Sequence, residues 1–168
     1  MSISASEIRE KAEKIRGQIT ADRRKLHQIP EIGMDLPETS AYIRKRLDEM
    51  GIPWKDCGGE LPEKVTKDFM EAGFPQMERA VGVTAVIGKG SPCILLRADM
   101  DALPIREESD LEFKSCNGYG HMCGHDSHVA MLLGAAQILK DMEDSLKGSV
   151  KLVFQPGEET GAGARVLV

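Results

Sequence analysis

The sequence has little of what several broad classes of protein require. Only one Trp, two Tyr and four Phe occur among its 168 residues, so the core must depend on aliphatic side chains and methionine. No apolar run approaches the roughly 18 residues that span a membrane. The first residues contain no apolar signal-peptide segment, so we expect a cytoplasmic protein with no membrane partner. The net charge is −5 and there is no basic stripe, which argues against nucleic acid as a partner.

Cysteine is also scarce. Cys57, Cys93, Cys116 and Cys123 are too few and too scattered for a disulfide framework in a chain of this length, and we interpret them as reduced. A length of 168 residues suits one domain with its own core.

The amino-terminal part of the chain carries helical patterns. Ser4 and Glu7 form a capping box at the start of a helix predicted over 4–27. A second helix is predicted from Pro37 to Gly51, with Asp35 as its cap. Residues 52–81 are interpreted as a connection that contains one short amphipathic helix, with Val65, Phe69 and Met70 on one side.

The remainder alternates between strand and helix patterns. Strands are predicted over 82–88, 93–98 and 150–155, and a helix from His125 to about residue 144 separates the last two. The nearly continuous apolar run of 93–98 is typical of a strand buried on both faces, and we expect it to pair antiparallel with 82–88. The strand–helix–strand order predicts parallel pairing of 93–98 with 150–155. A final helix is predicted from Ala164. The fold class is therefore α/β, with a mixed, largely parallel sheet flanked by helices.

The densest chemical signal lies in residues 121–128. This segment holds three of the four histidines, one cysteine and one aspartate. A closed structural zinc site is disfavoured because the spacings do not supply four paired ligands. A cysteine nucleophile would leave the neighbouring acids without a role. A capped helix whose histidines are all hydrogen-bonded within the fold remains the plain alternative.

Other acids are expected to converge on this segment. The carboxyl ends of parallel strands and the amino ends of crossover helices share one edge of an α/β sheet. That edge would bring together the following side chains: Asp99, Asp101, Cys123, His125, Glu158 and Glu159. A hydrolytic metal site accounts for most of them, with Cys123 and His125 as ligands. Of the adjacent glutamates, one would bind metal and the other would act as a general base, and Asp101 would orient a ligand.

Three motifs in this order resemble the di-metal amidohydrolases of the aminoacylase/carboxypeptidase family. They are Arg97–Pro104 (RADMDALP), His121–His128 (HMCGHDSH) and Gln155–Glu159 (QPGEE), and the segment Arg24–Glu31 is similar as well. The branch concerned holds hippurate hydrolases, N-acyl-amino-acid amidohydrolases and auxin-conjugate hydrolases. Met122 and Gly157 stand where alanine is usual, and neither change removes a ligand.

The resemblance assigns roles to the site residues. It implies that Cys123, His125 and Glu159 bind metal, that Glu158 is the general base, and that Asp101 is an acid beside the metals. The flanking side chains are then candidates for supporting the ligands: Asp99, His121, Asp126 and His128. The implied cofactors are two divalent ions, with Zn, Mn, Co and Ni as candidates.

The resemblance also carries expectations about the whole protein. The implied reaction is hydrolysis of the amide bond in N-acyl amino acids or similar small conjugates. Residues 1–168 would form the amino-terminal part of a zinc-peptidase-like catalytic domain that is incomplete without its remaining strands, two more histidine ligands and a lid domain. That lid would make the complete enzyme a homodimer. We therefore expect the chain alone to be inactive. The alternatives are a non-catalytic metal-binding or inert fragment and a dipeptidase or carboxypeptidase of the same family.

Overall fold

Four helices and four strands lie between residues 4 and 167, the part of the chain that this computed structural model describes. The helices are α1 (Ala5–His27), α2 (Pro37–Glu49), α3 (Glu63–Glu71) and α4 (His125–Asp141). The strands are β1 (Trp54–Glu60), β2 (Arg79–Gly88), β3 (Cys93–Asp99) and β4 (Ser149–Gln155). Short 3-10 turns occupy Glu143–Ser145 and Gly163–Val166. The last of these replaces the helix expected from Ala164. No helix among these residues is both long and apolar enough to pass through a membrane.

The strands form one mixed sheet in the order β1-β2-β4-β3. The α/β class and the parallel β3–α4–β4 unit are confirmed. The expected direct pairing of β2 with β3 is wrong, because β4 lies between them and pairs antiparallel with β2. The sheet is also less parallel than expected, since β1–β2 and β2–β4 are both antiparallel. Six of the seven residues of β4 are buried, which explains why this strand takes the inner position.

Strand β3 lies at an edge of the sheet, so the expectation that it is buried on both faces is wrong. Ile94 is 60% exposed and Leu95 is 57% exposed. Among residues 4–167 its only strand partner is β4. The segment 93–98 is therefore an apolar strand, but no other strand among residues 4–167 pairs with its free edge.

Side chains cap the first two helices in different ways. The capping box at Ser4 is present, with both reciprocal hydrogen bonds formed. At α2 the predicted cap Asp35 is wrong, because the cap position is Leu36, which makes no side-chain hydrogen bond there. Glu31 supplies the acceptors instead, taking the backbone N–H groups of Glu38 at 3.1 Å and Thr39 at 2.8 Å. A carboxylate at this end also complements the helix dipole.

Residues 52–81 hold more regular structure than a connection. The short helix was predicted, but strand β1 was not, because Gly58 and Gly59 interrupt the strand pattern. Gly58 has φ +102°, a conformation that favours glycine. Val65 and Phe69 pack on a small apolar cluster formed by Met34, Leu61, Met77 and Ala80. Met70 is instead exposed.

The main core lies between α4, α1, α2 and the sheet. Val129, Leu133 and Ala136 of α4 are almost completely buried within it, as the helical spacing predicted. This packing fixes the direction of α4 and therefore the place where its first turn meets the ends of β3 and β4.

Candidate metal centre

The ends of β3 and β4 bring the predicted acids together. Asp99 is paired in register with Gln155, so both parallel strands end at the same level. The Met100 backbone N–H then donates to the Gln155 carbonyl at 3.0 Å, which holds the two following loops side by side. The acids after β3 and the glutamates after β4 therefore meet beside the first turn of α4.

His125 stands at the centre of this group and is almost completely buried. Its Nδ1 donates to the backbone carbonyl of Asp101 at 2.8 Å. A carbonyl only accepts, so the proton is on Nδ1 and Nε2 is left facing the carboxylates. Nε2 lies 3.7 Å from Asp99 Oδ2, 3.8 Å from Glu158 Oε2 and 3.9 Å from Glu159 Oε1.

Two sets of three side chains in the described residues have geometry suited to a metal ion, and both include His125. One is Cys123, His125 and Glu159, and the other is Asp99, His125 and His128. Within each set the ligand atoms lie within 4.8 Å of one another. The first set joins thiolate, imidazole and carboxylate, a combination that suits zinc and similar divalent metals. Gly124, which separates Cys123 from His125, has φ +87°, and this left-handed turn allows both neighbours to face one point.

Asp101 organises the glutamate pair. Its side chain is completely buried, and its two oxygens accept the backbone N–H groups of Glu158 at 3.1 Å and Glu159 at 3.0 Å. Its backbone also accepts the His125 hydrogen bond. One residue thus fixes the imidazole and both glutamate backbones.

The two glutamates face different surroundings. The Glu158 side chain is 43% exposed, whereas that of Glu159 is 20% exposed. Glu159 Oε1 is buried with no hydrogen-bond partner among the described residues. Such an oxygen is costly unless something binds it, and a cation between Cys123, His125 and Glu159 would satisfy it.

The charges of this group are not balanced. Burial lowers the pKa of His125, but Asp101 and Asp99 outweigh burial and raise it to about 9. The pKa of the Cys123 thiol is raised by burial and by Glu159 and Glu158. Burial and the nearby carboxylates therefore both disfavour the thiolate form of Cys123 in the metal-free chain. The surroundings thus favour positive charge at this position.

The remaining candidates have separate surroundings. His128 is hydrogen-bonded through Nδ1 to Asp99 and stacks on His125 with 5.4 Å between ring centroids. Burial of Asp99 raises its pKa, but His128 and His125 lower it further than burial raises it. His121 is buried, neither of its ring nitrogens has a hydrogen-bond partner within residues 4–167, and burial lowers its pKa to about 4. Asp126 points away from the metal ligands and contacts α1.

One buried residue beside the site received no role from its sequence position. His27 ends α1 and hydrogen-bonds to Asp126 and Glu107. The sequence placed it only at a helix end. The available signal was its position in the segment Arg24–Glu31, one of the segments that carried the family resemblance.

Comparisons with known proteins show which sequences and structures this chain is similar to. The sequence model described as peptidase family M20/M25/M40 matches residues 95–168. IAA-amino acid hydrolase ILR1-like 5 of Arabidopsis thaliana is 45% identical over 148 residues, covering 87% of this chain and 29% of that protein. N-acetyl-L-cysteine deacetylase of Bacillus subtilis is 44% identical over 152 residues, covering 90% of this chain and 32% of that protein. The chain thus spans about a third of the length of these curated relatives.

Comparison with solved structures points to the same family. The crystal structure of the YXEP protein of Bacillus subtilis, described as a dinuclear metal binding peptidase from the M20 family, matches with a TM-score of 0.74 at 36% identity. The match covers 91% of this chain and 38% of that one. By sequence and by fold, the chain is similar to members of the peptidase M20/M25/M40 family, and residues 95–168 match that family's sequence model.

Proposed function

We propose that this chain carries part of a divalent-metal centre that hydrolyses the amide bond of N-acyl amino acids or similar small conjugates. The observation that carries the proposal is the convergence of Cys123, His125 and Glu159 on one point, with Glu158 beside it. The names of the relatives support the substrate class, since they include an IAA-amino acid hydrolase and an N-acetyl-L-cysteine deacetylase.

The donor set fits a metal. Because Nδ1 of His125 is held by the Asp101 carbonyl, Nε2 is the nitrogen that would give up its proton and bind an ion, and Glu159 Oε1 is buried with no hydrogen-bond partner among residues 4–167. Cys123, His125 and Glu159 would hold a first ion. Two divalent ions are proposed by analogy with the dinuclear structure, with Zn, Mn, Co or Ni as candidates. A divalent ion at this position would polarise the scissile carbonyl and make water more acidic.

The chain's own residues supply the proton transfer. Glu158 is the partly exposed member of the pair, so its carboxylate is open to water and to substrate. It would accept a proton from the attacking water and deliver it to the leaving amine nitrogen. Asp101 holds the backbone of Glu158 and the ring of His125, so the base and the ligand keep a fixed relation.

Metal binding by the chain tests the first part of the proposal. Equilibrium dialysis against Zn²⁺, Mn²⁺, Co²⁺ or Ni²⁺ should give stoichiometric binding that Cys123→Ala abolishes. Three ligands are fewer than two ions need, so we expect hydrolysis of N-acetyl or N-benzoyl amino acids by the chain alone to stay near background. No metal binding would favour the inert-fragment alternative, and chelator-sensitive turnover would refute the expected inactivity.

A chimera tests the reaction. In the chimera, this chain would replace the matching segment of the Bacillus subtilis N-acetyl-L-cysteine deacetylase. The hydrolysis rate of the chimera with Glu158→Gln would be compared with that of the unsubstituted chimera. We expect Glu158→Gln to lower hydrolysis by a factor of about 100 or more, as loss of a general base does, while metal content stays the same. Equal activity in both chimeras would remove Glu158 from the proposed role. Release of free amino acid from dipeptides rather than N-acetyl substrates would favour the dipeptidase alternative.

A further inference from the structure

A second group of charged side chains lies behind the first turn of α4. Arg23 and His27 come from the last turns of α1, Asp126 from α4, and Glu107 from the loop that connects β3 to α4. Asp126 Oδ2 accepts Arg23 Nε at 2.9 Å and His27 Nδ1 at 2.7 Å. His27 Nε2 donates to Glu107 Oε1 at 3.1 Å. The side chains of His27, Asp126 and Glu107 are all more than nine-tenths buried. We call these four residues the α1 clamp.

The hydrogen-bonding groups of the α1 clamp are matched. One ring nitrogen of His27 faces a carboxylate oxygen of Asp126 and the other faces one of Glu107. Arg23, whose side chain is 33% exposed, adds a second donor and a positive charge beside Asp126. Hydrogen bonds of this kind offset the loss of water around the two buried carboxylates.

The clamp reaches both peptide segments that deliver the candidate ligands. Asp126 directly follows His125, and its Oδ1 accepts the backbone N–H of Ser127 at 2.7 Å. The cap position of α4 is Gly124, which has no side chain to satisfy this end of the helix, so the first turn depends on Asp126. Glu107 accepts the backbone N–H of Ser115 at 2.7 Å, within the loop that continues to Cys123.

We propose that Arg23 and His27 are positioning residues for the candidate metal centre, holding α4 and the preceding loop so that His125 and Cys123 converge. The proposal rests on the proposed function and extends it to α1, which makes no hydrogen bond or ion pair with Cys123, His125 or Glu159 among residues 4–167. The segment Arg24–Glu31 contains no proposed metal ligand or base, and the proposal gives one of its residues, His27, a role. Residues that orient metal ligands through one intermediate group typically change metal affinity by a factor of about 10 to 100.

The test compares His27→Gln with Asp22→Asn in the 168-residue chain. Asp22 is a matched control because it is buried on the same helix and accepts hydrogen bonds from Tyr42 at 2.7 Å and Arg46 at 3.0 Å, toward α2. The Co²⁺ affinity and the thiolate-to-Co²⁺ absorption band are measured together with urea unfolding. We expect His27→Gln to weaken Co²⁺ binding at least about tenfold and to alter the band. Asp22→Asn should lower stability but leave affinity within about twofold.

Equal Co²⁺ affinity in His27→Gln and wild type would overturn the proposal. So would an equal loss of affinity in both variants at equal loss of stability, because the role would then be general stability. If His27→Gln does not fold, Arg23→Gln and its conservative partner Arg23→Lys take its place. Affinity should fall in Arg23→Gln and recover in Arg23→Lys, whereas no difference between them would contradict a positioning role.

A separate measurement distinguishes failure of the clamp from failure of the metal centre. If the wild-type chain binds no Co²⁺, the proposed function fails, and amide hydrogen exchange of the metal-free chain decides the clamp. Faster exchange at Ser127 and His128 in His27→Gln, with unchanged exchange there in Asp22→Asn, supports the hold on α4. Unchanged exchange in both variants overturns it.

Discussion

The first turn of α4 separates two groups of ionisable side chains that are built in opposite ways. In the α1 clamp, Arg23 and His27 face Asp126 and Glu107, and each carboxylate has a nitrogen partner within about 3 Å. On the other side, His125 Nε2 faces Asp99, Glu158 and Glu159 at 3.7 to 3.9 Å, which is too far for hydrogen bonds.

This contrast indicates what each group is suited for. A matched and closely bonded group satisfies itself and has no use for a further ion. An imidazole among loosely placed carboxylates leaves buried acceptors that a cation can satisfy. The distances therefore separate a structural network from a candidate metal centre, although both use the same residue types.

The largest effect should come from breaking the matched group. Asp126→Asn would put a neutral amide where Arg23 and the buried His27 now meet a fully buried carboxylate, and loss of one partner of a buried ion pair costs about 3 to 5 kcal/mol. The free energy of unfolding, measured in urea, should fall by that amount. Glu63→Gln, which breaks the exposed pair with Lys67, is the control and should change stability by less than about 1 kcal/mol. If the two substitutions lower the free energy of unfolding equally, the α1 clamp contributes no more to stability than an exposed ion pair.

A metal ion bound among His125, Asp99, Glu158 and Glu159, which we call the unmatched group, should stabilise the chain. A metal present at 100 times its Kd raises the free energy of unfolding by about 2.7 kcal/mol if it binds only the folded state. We expect this gain with Zn²⁺ or Co²⁺ and its loss on addition of a chelator. His125→Ala should remove the gain, because both candidate ligand sets contain this residue. A gain that persists in His125→Ala would place the ion elsewhere.

Asp101→Asn tests a carboxylate that serves the unmatched group without facing its centre. The amide oxygen can replace only one of the two acceptors for Glu158 and Glu159, and an unpaired buried N–H costs about 1 to 3 kcal/mol. Urea unfolding should show this loss even without metal. The control is Glu158→Gln, whose partly exposed side chain should leave stability nearly unchanged. If Asp101→Asn leaves the free energy of unfolding unchanged, the turn that carries Glu158 and Glu159 does not depend on the Asp101 side chain.

The last effect is confined to acid pH. Burial raises the pKa of Glu107, but hydrogen bonds from Ser109, Ser115 and His27 lower it to about 2 from an ordinary 4.5. The folded state thus binds fewer protons than the unfolded state in this window. The stabilisation is complete above about pH 4.5 and is lost as the pH falls toward 2. Glu107→Gln should flatten this part of the stability–pH curve, and an unchanged slope would show that other carboxylates determine it.

Local signals explain which parts of the fold could be predicted. The capping box of Ser4, the apolar stripe of α4 and the buried pattern of β4 are each contained in a few neighbouring residues. Strand order depends instead on which strand packs best in the centre, and the apolar pattern of β3 resembles that of an inner strand. Strand β1 was missed because it is mostly exposed, shows no alternation of apolar and polar residues, and contains two glycines.

The candidate site divides in the same way. The side chains expected at the sheet edge could be identified because each follows a strand or opens a helix, and the topology brings such positions together. Their individual roles remain predictions. The α1 clamp could not be predicted, since His27 and Asp126 are 99 residues apart and neither position shows by itself that the two will meet.

The open edge of β3 has a practical consequence for the chain in solution. An apolar edge strand without proline or lysine presents unpaired backbone groups to any other extended segment. Self-association through such an edge depends on protein concentration and not on the stability of the fold. Solubility, more than unfolding, should therefore limit how concentrated the chain can become, and a lysine in place of Leu95 should raise that limit while leaving the candidate metal centre intact.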